Sequence, residues 1–518
     1  MIVINSGAYV SSEFRAEFGA VPPCLLPLGN RKLIEFQVAN LRETFSDSII
    51  ISLPDDYNLG PDDEALLASL SLEVVRVPTG LSLAEALLYV LNVSSAPEGP
   101  LRLLHGDTLI GPVDPRTDCI GVAVSEDDYD WEAERLDSGE KAVWCGYFCF
   151  SSAREFIRSL AISRGDFVAA VREYGSRIKL FSLPISDWHD LGHVNTYFAS
   201  RTHITTQRSF NDLTIANGIV RKTSENAEKI IAEYSWFKAL PSDLKVYTPA
   251  LLNDSSSADS DIAFYELEYL PLSPLNEILV HGRNPPFFWN RVFRQLERFL
   301  EQARVYGTSE QAAQDARLAS DYVFRAKTTE RLLQVRQTLA LREDQPIFYG
   351  STQLPPLEQI VENCLSIIER QSPVAAIMHG DLCFSNILYN SRTAQLKLID
   401  PRGTFARQHS IYGDQRYDVA KLGHSVIGLY DHIIAGRYRI DSAEGAEVIR
   451  FGRDDRLKTI QYEFLGAQFI PGQPNASAHP AMVLLFISMI PLHADRPDRQ
   501  KAMFLNAMRL YLEMGSAN

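Results

Sequence analysis

Residues 1 to 205 alternate short apolar runs with amphipathic stretches: MIVIN, KLIEFQVANLRE, SIIISLP, LSLAEALLYVLN and LRLLHGD follow one another. Apolar runs of this length suit strands buried on both faces, and the amphipathic stretches suit crossover helices. A parallel sheet wrapped by helices is therefore predicted, an α/β domain. Ser82 followed by Glu85 has the spacing of a reciprocal N-terminal cap and marks one helix start. WCGYFCF, which holds Cys145 and Cys149, reads as a core strand.

After ASRTHITTQRSFND the texture changes. LTIANGIVRKTS predicts two short strands about an Asn-Gly turn, and ENAEKIIAEYSWFKAL predicts a helix. LKVYTPALLND and IAFYELEYLP read as two further strands, joined by NDSSSADSD, whose composition is that of a mobile hairpin loop. From about residue 276 long helical patterns dominate, among them PPFFWNRVFRQLERFLEQARVYG and PPLEQIVENCLSIIERQ. The pattern predicts a small lobe over 206–275 and a larger helical lobe over 276–518. There is no internal repeat.

Composition sets limits on this picture. With 518 residues, 46% of them hydrophobic, the chain can fill several cores, about three at ordinary domain size. A net charge of -15 argues against a broad nucleic-acid footprint and leaves room for a local cationic pocket for a nucleotide. The six cysteines lack metal-type spacing and sit mostly among apolar neighbours, which suits reduced thiols in a cytoplasmic protein. MIVINSGAYV lacks the basic start and cleavage site of a secretory signal, and the longest apolar run, AMVLLFISMIPL, is too short to span a bilayer. No membrane insertion is expected, and nothing indicates an oligomeric state.

Candidate chemistry begins at IMHGDLCFSNILYN, residues 377–390, where Asp381 stands in an otherwise apolar run. A buried carboxylate without a partner costs several kcal/mol, so a metal ion or a substrate hydroxyl is expected to engage it. The segment after Asn386 reads as two short strands about Asn390 and Ser391, ending at Asp400. Such a hairpin would bring Asn386 and Asp400 together as oxygen donors for Mg2+. D-x-x-x-x-N is the spacing of a kinase catalytic loop, in which the Asp takes the hydroxyl proton and the Asn and a later Asp hold the metal. On that reading Asp381 needs no counter-charge from the protein. Lys222, on a strand, and Glu233, on the next helix, supply the phosphate-binding ion pair, and Arg221 should point the other way.

Residues 210–518 resemble the aminoglycoside phosphotransferase and choline kinase family, with HGDLCFSN as its catalytic loop and LKLIDPRG as its metal-binding strand. The resemblance implies a protein-kinase-like, two-lobed α+β domain that uses ATP and Mg2+. YGDQRYDVAKLGHS resembles the family's following helix, which implies that Asp418 braces the loop and that His379 has a supporting part. Pro401 and Arg402 stand where protein kinases carry Phe-Gly, so a small-molecule acceptor is implied.

Residues 1–205 resemble the sugar-phosphate nucleotidyltransferases, or nucleotide-sugar pyrophosphorylases, through PPCLLPLGNRKLIEFQVANL, HGDTLI, WCGYFCFS and WHDLGHVNTY. The resemblance implies a Rossmann-like fold, a second nucleoside triphosphate of unknown base, and Asp107 and Asp190 as Mg2+ ligands at strand ends. The family's signature loop departs. NSGAYVSSEFRAEFGAVPPC keeps Gly7, offers Arg15 as a replacement arginine and has Pro23 in the lysine position, while Lys32 lies nearby in sequence. Three readings of this half stay open: active nucleotidyltransfer, a catalytically silent binding domain, and a structural domain. The expected whole is a bifunctional enzyme that phosphorylates a sugar, polyol or amino alcohol and couples the product to a nucleotide, for surface polysaccharide or related biosynthesis.

Overall fold

The computed structural model describes residues 1–94, 99–135, 139–205, 213–255, 263–405, 408–443 and 446–516. Residues 256–262 of the expected Ser/Asp-rich loop lie outside the described residues. The chain clusters into two compact units, residues 1–205 with 281–284 and residues 206–280 with 285–518.

The first unit is built on an eight-stranded sheet. Its order is Phe181–Pro184, Cys119–Ala123, Lys141–Phe150, Leu101–His105, Ile2–Asn5, Ile49–Pro54, Glu73–Val77, with Ala133–Arg135 also paired to Lys141–Phe150. Apolar runs without polar alternation are explained by two cores, one on each face. Ile2 and Ile4 point into one with helix Leu33–Thr44, and Val3 and Leu103 into the other with helices Leu83–Val93, Ala153–Ile162 and Phe167–Gly175. The reciprocal Ser82–Glu85 cap is formed. The sheet is mixed where a parallel one was expected, because Lys141–Phe150 runs antiparallel to all three of its partners and carries a bulge at Gly146. A Cβ there would meet Thr108 Oγ1 at 2.6 Å, so the strand can bend over the Asp107 turn only with glycine.

In the second unit, strands Leu213–Ala216, Ile219–Thr223, Phe264–Glu268 and Leu251–Asp254 form an antiparallel sheet in that order, next to helix Ala227–Ala239. Asn217 and Gly218, both at positive φ, make the two-residue turn of the first hairpin. Lys245–Tyr247, expected in a strand, is a turn of 3-10 helix that Pro241 starts by accepting the N–H groups of Leu244 and Lys245. The rest is mainly helical, around helices Gln415–Val426 and His479–Met489. The stretch Asn475–His493 is long and apolar enough, by length and composition, to cross a membrane, because helical turns extend the short apolar run on both sides. Pro480 to Ser488 are all buried within the unit, as in a core helix.

Candidate active sites

Helix Gln415–Val426 is buried along its whole length, so its polar residues need partners inside the protein. Asp418 accepts the backbone N–H groups of His379 at 2.9 Å and Gly380 at 2.8 Å, which fixes the turn ahead of Asp381. Burial pushes the Asp418 carboxyl up to about 7, against the pull of those two N–H groups. Three residues further along, Lys421 Nζ lies 2.7 Å from Asp381 Oδ1. The expectation that Asp381 needs no counter-charge is thereby corrected. Burial would raise the Asp381 carboxyl, but Lys421 and Arg402 hold it well below its ordinary value.

Asn386 Nδ2 donates to the main-chain oxygen of Asp381 at 2.9 Å and to its Oδ2 at 3.2 Å, so the two residues are held together by the loop itself. His379 Nε2 donates to the carbonyl of Ile399 at 3.0 Å, and its Nδ1 accepts the N–H of Asp381 at 3.3 Å. Burial pulls this histidine down to about 4, so it is a neutral brace between the loop and the next strand.

Strands Ile387–Asn390 and Gln395–Leu398 pair antiparallel, and Ile399 donates to the Asn386 carbonyl at 3.0 Å. The hairpin therefore sets Asn386 beside the corner at Asp400, whose φ of 56° is left-handed. Lys222 Nζ lies 2.9 Å from Asp400 Oδ1 and 2.8 Å from Glu233 Oε2, and Tyr265 donates to the same Glu233 oxygen at 2.7 Å. Burial would lower the Lys222 ammonium, but Asp400 and Glu233 raise it above its ordinary value, so it stays charged. Arg221 points away and pairs with Glu266 at 3.1 Å. Lys222, Glu233, Asp381, Asn386 and Asp400 are thus gathered in one place. Asn386 and Asp400 are oxygen donors of the kind Mg2+ takes, and the Asp400 side chain is 45% exposed, open to a ligand.

In the first unit, strand Leu101–His105 ends at Gly106 and Asp107, and strand Trp188–Asp190 pairs with Thr108–Ile110. This register brings the two aspartates together. A Cβ built on Gly192 would lie 2.6 Å from Asp107 Oδ2 and 3.4 Å from Asp190 Oδ1. Asp190 is buried, and Gly192 N, His193 Nδ1 and Thr196 Oγ1 all bond to its carboxylate. Burial, and then the Asp190 charge, push the Asp107 carboxyl up to about 6. Two carboxylates that repel each other at one point fit a divalent cation. Among the described residues no group of three or more His, Cys, Asp or Glu could hold a metal, so a third ligand would come from elsewhere.

In the segment where the resemblance would place a signature loop, Ser12–Phe18 forms a helix. Arg15 is exposed on it, with Nε donating to the Val10 carbonyl at 3.2 Å. Lys32 is 1% exposed and ion-paired with Asp63, whose other oxygen takes Arg283 at 2.8 Å. Its charge is neutralised inside the unit.

Lys421 and Tyr265 were not singled out in the sequence. A lysine in the apolar pattern VAKLGHS was the available signal, since a core helix cannot leave an ammonium unpaired.

No protein-family model matches the chain, and no curated protein matches it. Among solved structures there are distant, partial likenesses of two kinds. A nucleoside-diphosphate-sugar pyrophosphorylase from Vibrio cholerae RC9 is 17% identical, over 39% of this chain and 99% of that one, with a TM-score of 0.32. An inositol-1-phosphate CTP transferase from T. maritima is 13% identical, over 40% and 97%, with a TM-score of 0.30. A choline/ethanolamine kinase family protein from Mesorhizobium loti is 10% identical, over 61% and 92%, with a TM-score of 0.32.

Proposed function

We propose that the second unit is an ATP-dependent small-molecule kinase and that the first is a nucleotidyltransferase, so that one chain makes a phosphate monoester and couples it to a nucleotide with release of pyrophosphate. The observation that carries the kinase reading is the convergence of Lys222, Glu233 and Asp400 with the Asp381–Asn386 loop. Asp381, kept ionised by Lys421, orients the acceptor hydroxyl and takes its proton as the bond to phosphorus forms. A carboxylate held this low is a weak base before reaction, which suits the loose transition state of phosphoryl transfer, where the proton leaves late. Lys222 sits where ATP phosphates would exchange for Asp400. Asn386 and Asp400 would hold Mg2+, which when bound neutralises charge on the transferring group.

In the first unit Asp107 and Asp190 would hold the second Mg2+. The cytoplasmic setting is supported by six free, buried cysteines. The acceptor is a sugar, polyol or amino alcohol, and the products serve surface polysaccharide or related biosynthesis. A second reading keeps the kinase and makes the first unit catalytically silent. It is favoured by Lys32, whose pairing with Asp63 leaves the missing lysine unreplaced.

Purified full-length protein with Mg2+, ATP and each of CTP, UTP, GTP and dTTP, screened against sugars, polyols, amino alcohols and their phosphates, separates the readings. ADP followed by pyrophosphate, the first lost in Asp381→Ala and the second in Asp107→Ala, is the expected result. ADP without pyrophosphate for the acceptor that is phosphorylated would favour the silent first unit. Absence of both would sink the kinase reading.

A further inference from the structure

Beside Asp381 the second unit gathers four cationic side chains, Lys327, Arg331, Arg402 and Lys421, within electrostatic reach of one buried tyrosine, Tyr417. Lys327 opens helix Lys327–Leu339 directly after a π-helical stretch, Asp321–Ala326. Such stretches shift the facing of the residues that follow and recur at functional sites. Lys327 is 7% exposed, and its Nζ lies 3.2 Å from Tyr417 Oη. The same fully buried tyrosine ring has Lys327 Nζ at 5.8 Å and Arg402 Cζ at 5.9 Å from its centroid. Tyr417 is one helical turn before Lys421, which is on Asp381. Arg331, one turn after Lys327, adds a fourth cation and donates to the Ser488 carbonyl at 2.8 Å.

Two of the carboxylates near this cluster are already engaged. Asp381 is paired to Lys421, and Asp418 is occupied by two backbone N–H groups. Among the described residues neither Lys327, Arg331 nor Arg402 makes an ion pair with a carboxylate. Mutual repulsion leaves its mark. Burial depresses Lys327 to about 8, opposed by Tyr417 and reinforced by Arg402, Lys421 and Arg331. Against the upward push of burial, Lys327, Arg402 and Lys421 draw Tyr417 down to about 8. Burying cations without a counter-ion is costly, and an anion brought by a ligand would relieve that cost.

We infer that the acceptor of the kinase carries a carboxylate or phosphate group, bound by Lys327, Arg331 and Arg402 while its hydroxyl faces Asp381. The inference rests on the kinase reading and narrows it, since an amino alcohol would bring a cation to a cationic wall. A charge-assisted contact to such a group distinguishes the acid or phosphate from the neutral parent compound.

The test compares acceptors that differ only in charge: glycerol, D-glycerate and glycerol 3-phosphate, then glucose, glucosamine, glucuronate and glucose 6-phosphate. Binding to the full chain is read by calorimetry without ATP, and ADP formation is read separately. The acid and phosphate members distinguish carboxylate from phosphate. We expect binding of at least one anion, with its neutral and amino counterparts weaker by roughly tenfold or more. Lys327→Gln should raise the Kd of that anion by roughly tenfold and leave ATP binding unchanged, and Lys327→Arg should restore it. Three outcomes would overturn the inference: no anion bound at about 10 mM, neutral or amino compounds bound as tightly, or Lys327→Gln weakening ATP in place of the anion. If the anion binds and no ADP forms from any compound, the kinase reading fails while the anion site stands.

Discussion

Lys222 Nζ and Asp400 Oδ1 lie 2.9 Å apart across 178 residues of chain, and the same ammonium lies 2.8 Å from Glu233. One strand, one helix and the corner of a distant hairpin are thereby tied at a single charge. Glu233 is 2% exposed, so the ammonium is what makes its buried charge tolerable.

Replacing Lys222 by Met should lower the rate of ADP formation by about a hundredfold or more, since a phosphate-directed cation is lost. Glu233→Gln should cost less, because the amide oxygen can still accept from Lys222 and from Tyr265. Steady-state kinetics with the responsive acceptor would check the ranking. Equal losses would show that Glu233 does more than hold the lysine.

Lys421 and Asp381 should behave as a coupled pair. The carboxylate is 38% exposed, so solvent screens the interaction, and a coupling of about 1 kcal/mol is expected from a double-mutant cycle with Lys421→Met and Asp381→Asn. Urea unfolding of the four proteins measures it. A coupling of zero would leave the short contact without energetic weight.

Gly403 offers a backbone test of the same site. A Cβ there would meet the Ala232 carbonyl oxygen at 2.0 Å, one residue before Glu233, and the residue has a φ of +67°. Gly403→Ala should cost more than about 2 kcal/mol, because both the left-handed conformation and the close approach oppose it. The helix that carries Glu233 would have to move, so ATP affinity should fall together with Tm. Unchanged ATP binding in a folded variant would argue against a rigid link between Asp400 and Glu233.

Local rules made much of this legible. The Asn-Gly turn, the Ser82–Glu85 cap and the hairpin that aligns Asn386 with Asp400 depend on residues close in sequence. Lys421 was hidden because its role depends on a helix being buried on all sides, a tertiary fact that no period reveals. Lys32 was ambiguous for the same reason, since its partner Asp63 lies on a different helix, Pro61–Ser69. The antiparallel strand Lys141–Phe150 and its bulge at Gly146 came from chain return over long distances, which a run of apolar residues cannot encode.

Gly192 gives a clean probe of the first unit. Its φ lies outside the left-handed range, so alanine is compatible with the backbone, yet the new methyl would sit between Asp107 Oδ2 and Asp190 Oδ1. If these carboxylates hold a cation that serves nucleotidyltransfer, Gly192→Ala should reduce pyrophosphate release by about a hundredfold or more. Pyrophosphate release at the wild-type rate would remove the aspartate pair from the chemistry.

The pH dependence of stability has a marker in His432. It is 4% exposed in helix Tyr430–Ile434, and burial, followed by Arg456 and Arg437, lowers it to about 3, with Asp454 pulling the other way. In the unfolded chain a histidine titrates near 6.5, so on acidification the unfolded state takes the proton first. Its neutral form therefore favours folding above about pH 6.5, and that contribution is lost as pH falls toward 3, by about 1.4 kcal/mol per unit. Asp431 next to it acts with the opposite sign, since burial raises its carboxyl to about 6, but its contribution is common to both proteins in a comparison. The unfolding free energy of His432→Asn, from urea titrations between pH 7 and pH 4.5, should thus depend on pH by about one proton less than the parent. Parallel curves would show that His432 is protonated in the folded chain or reached by solvent.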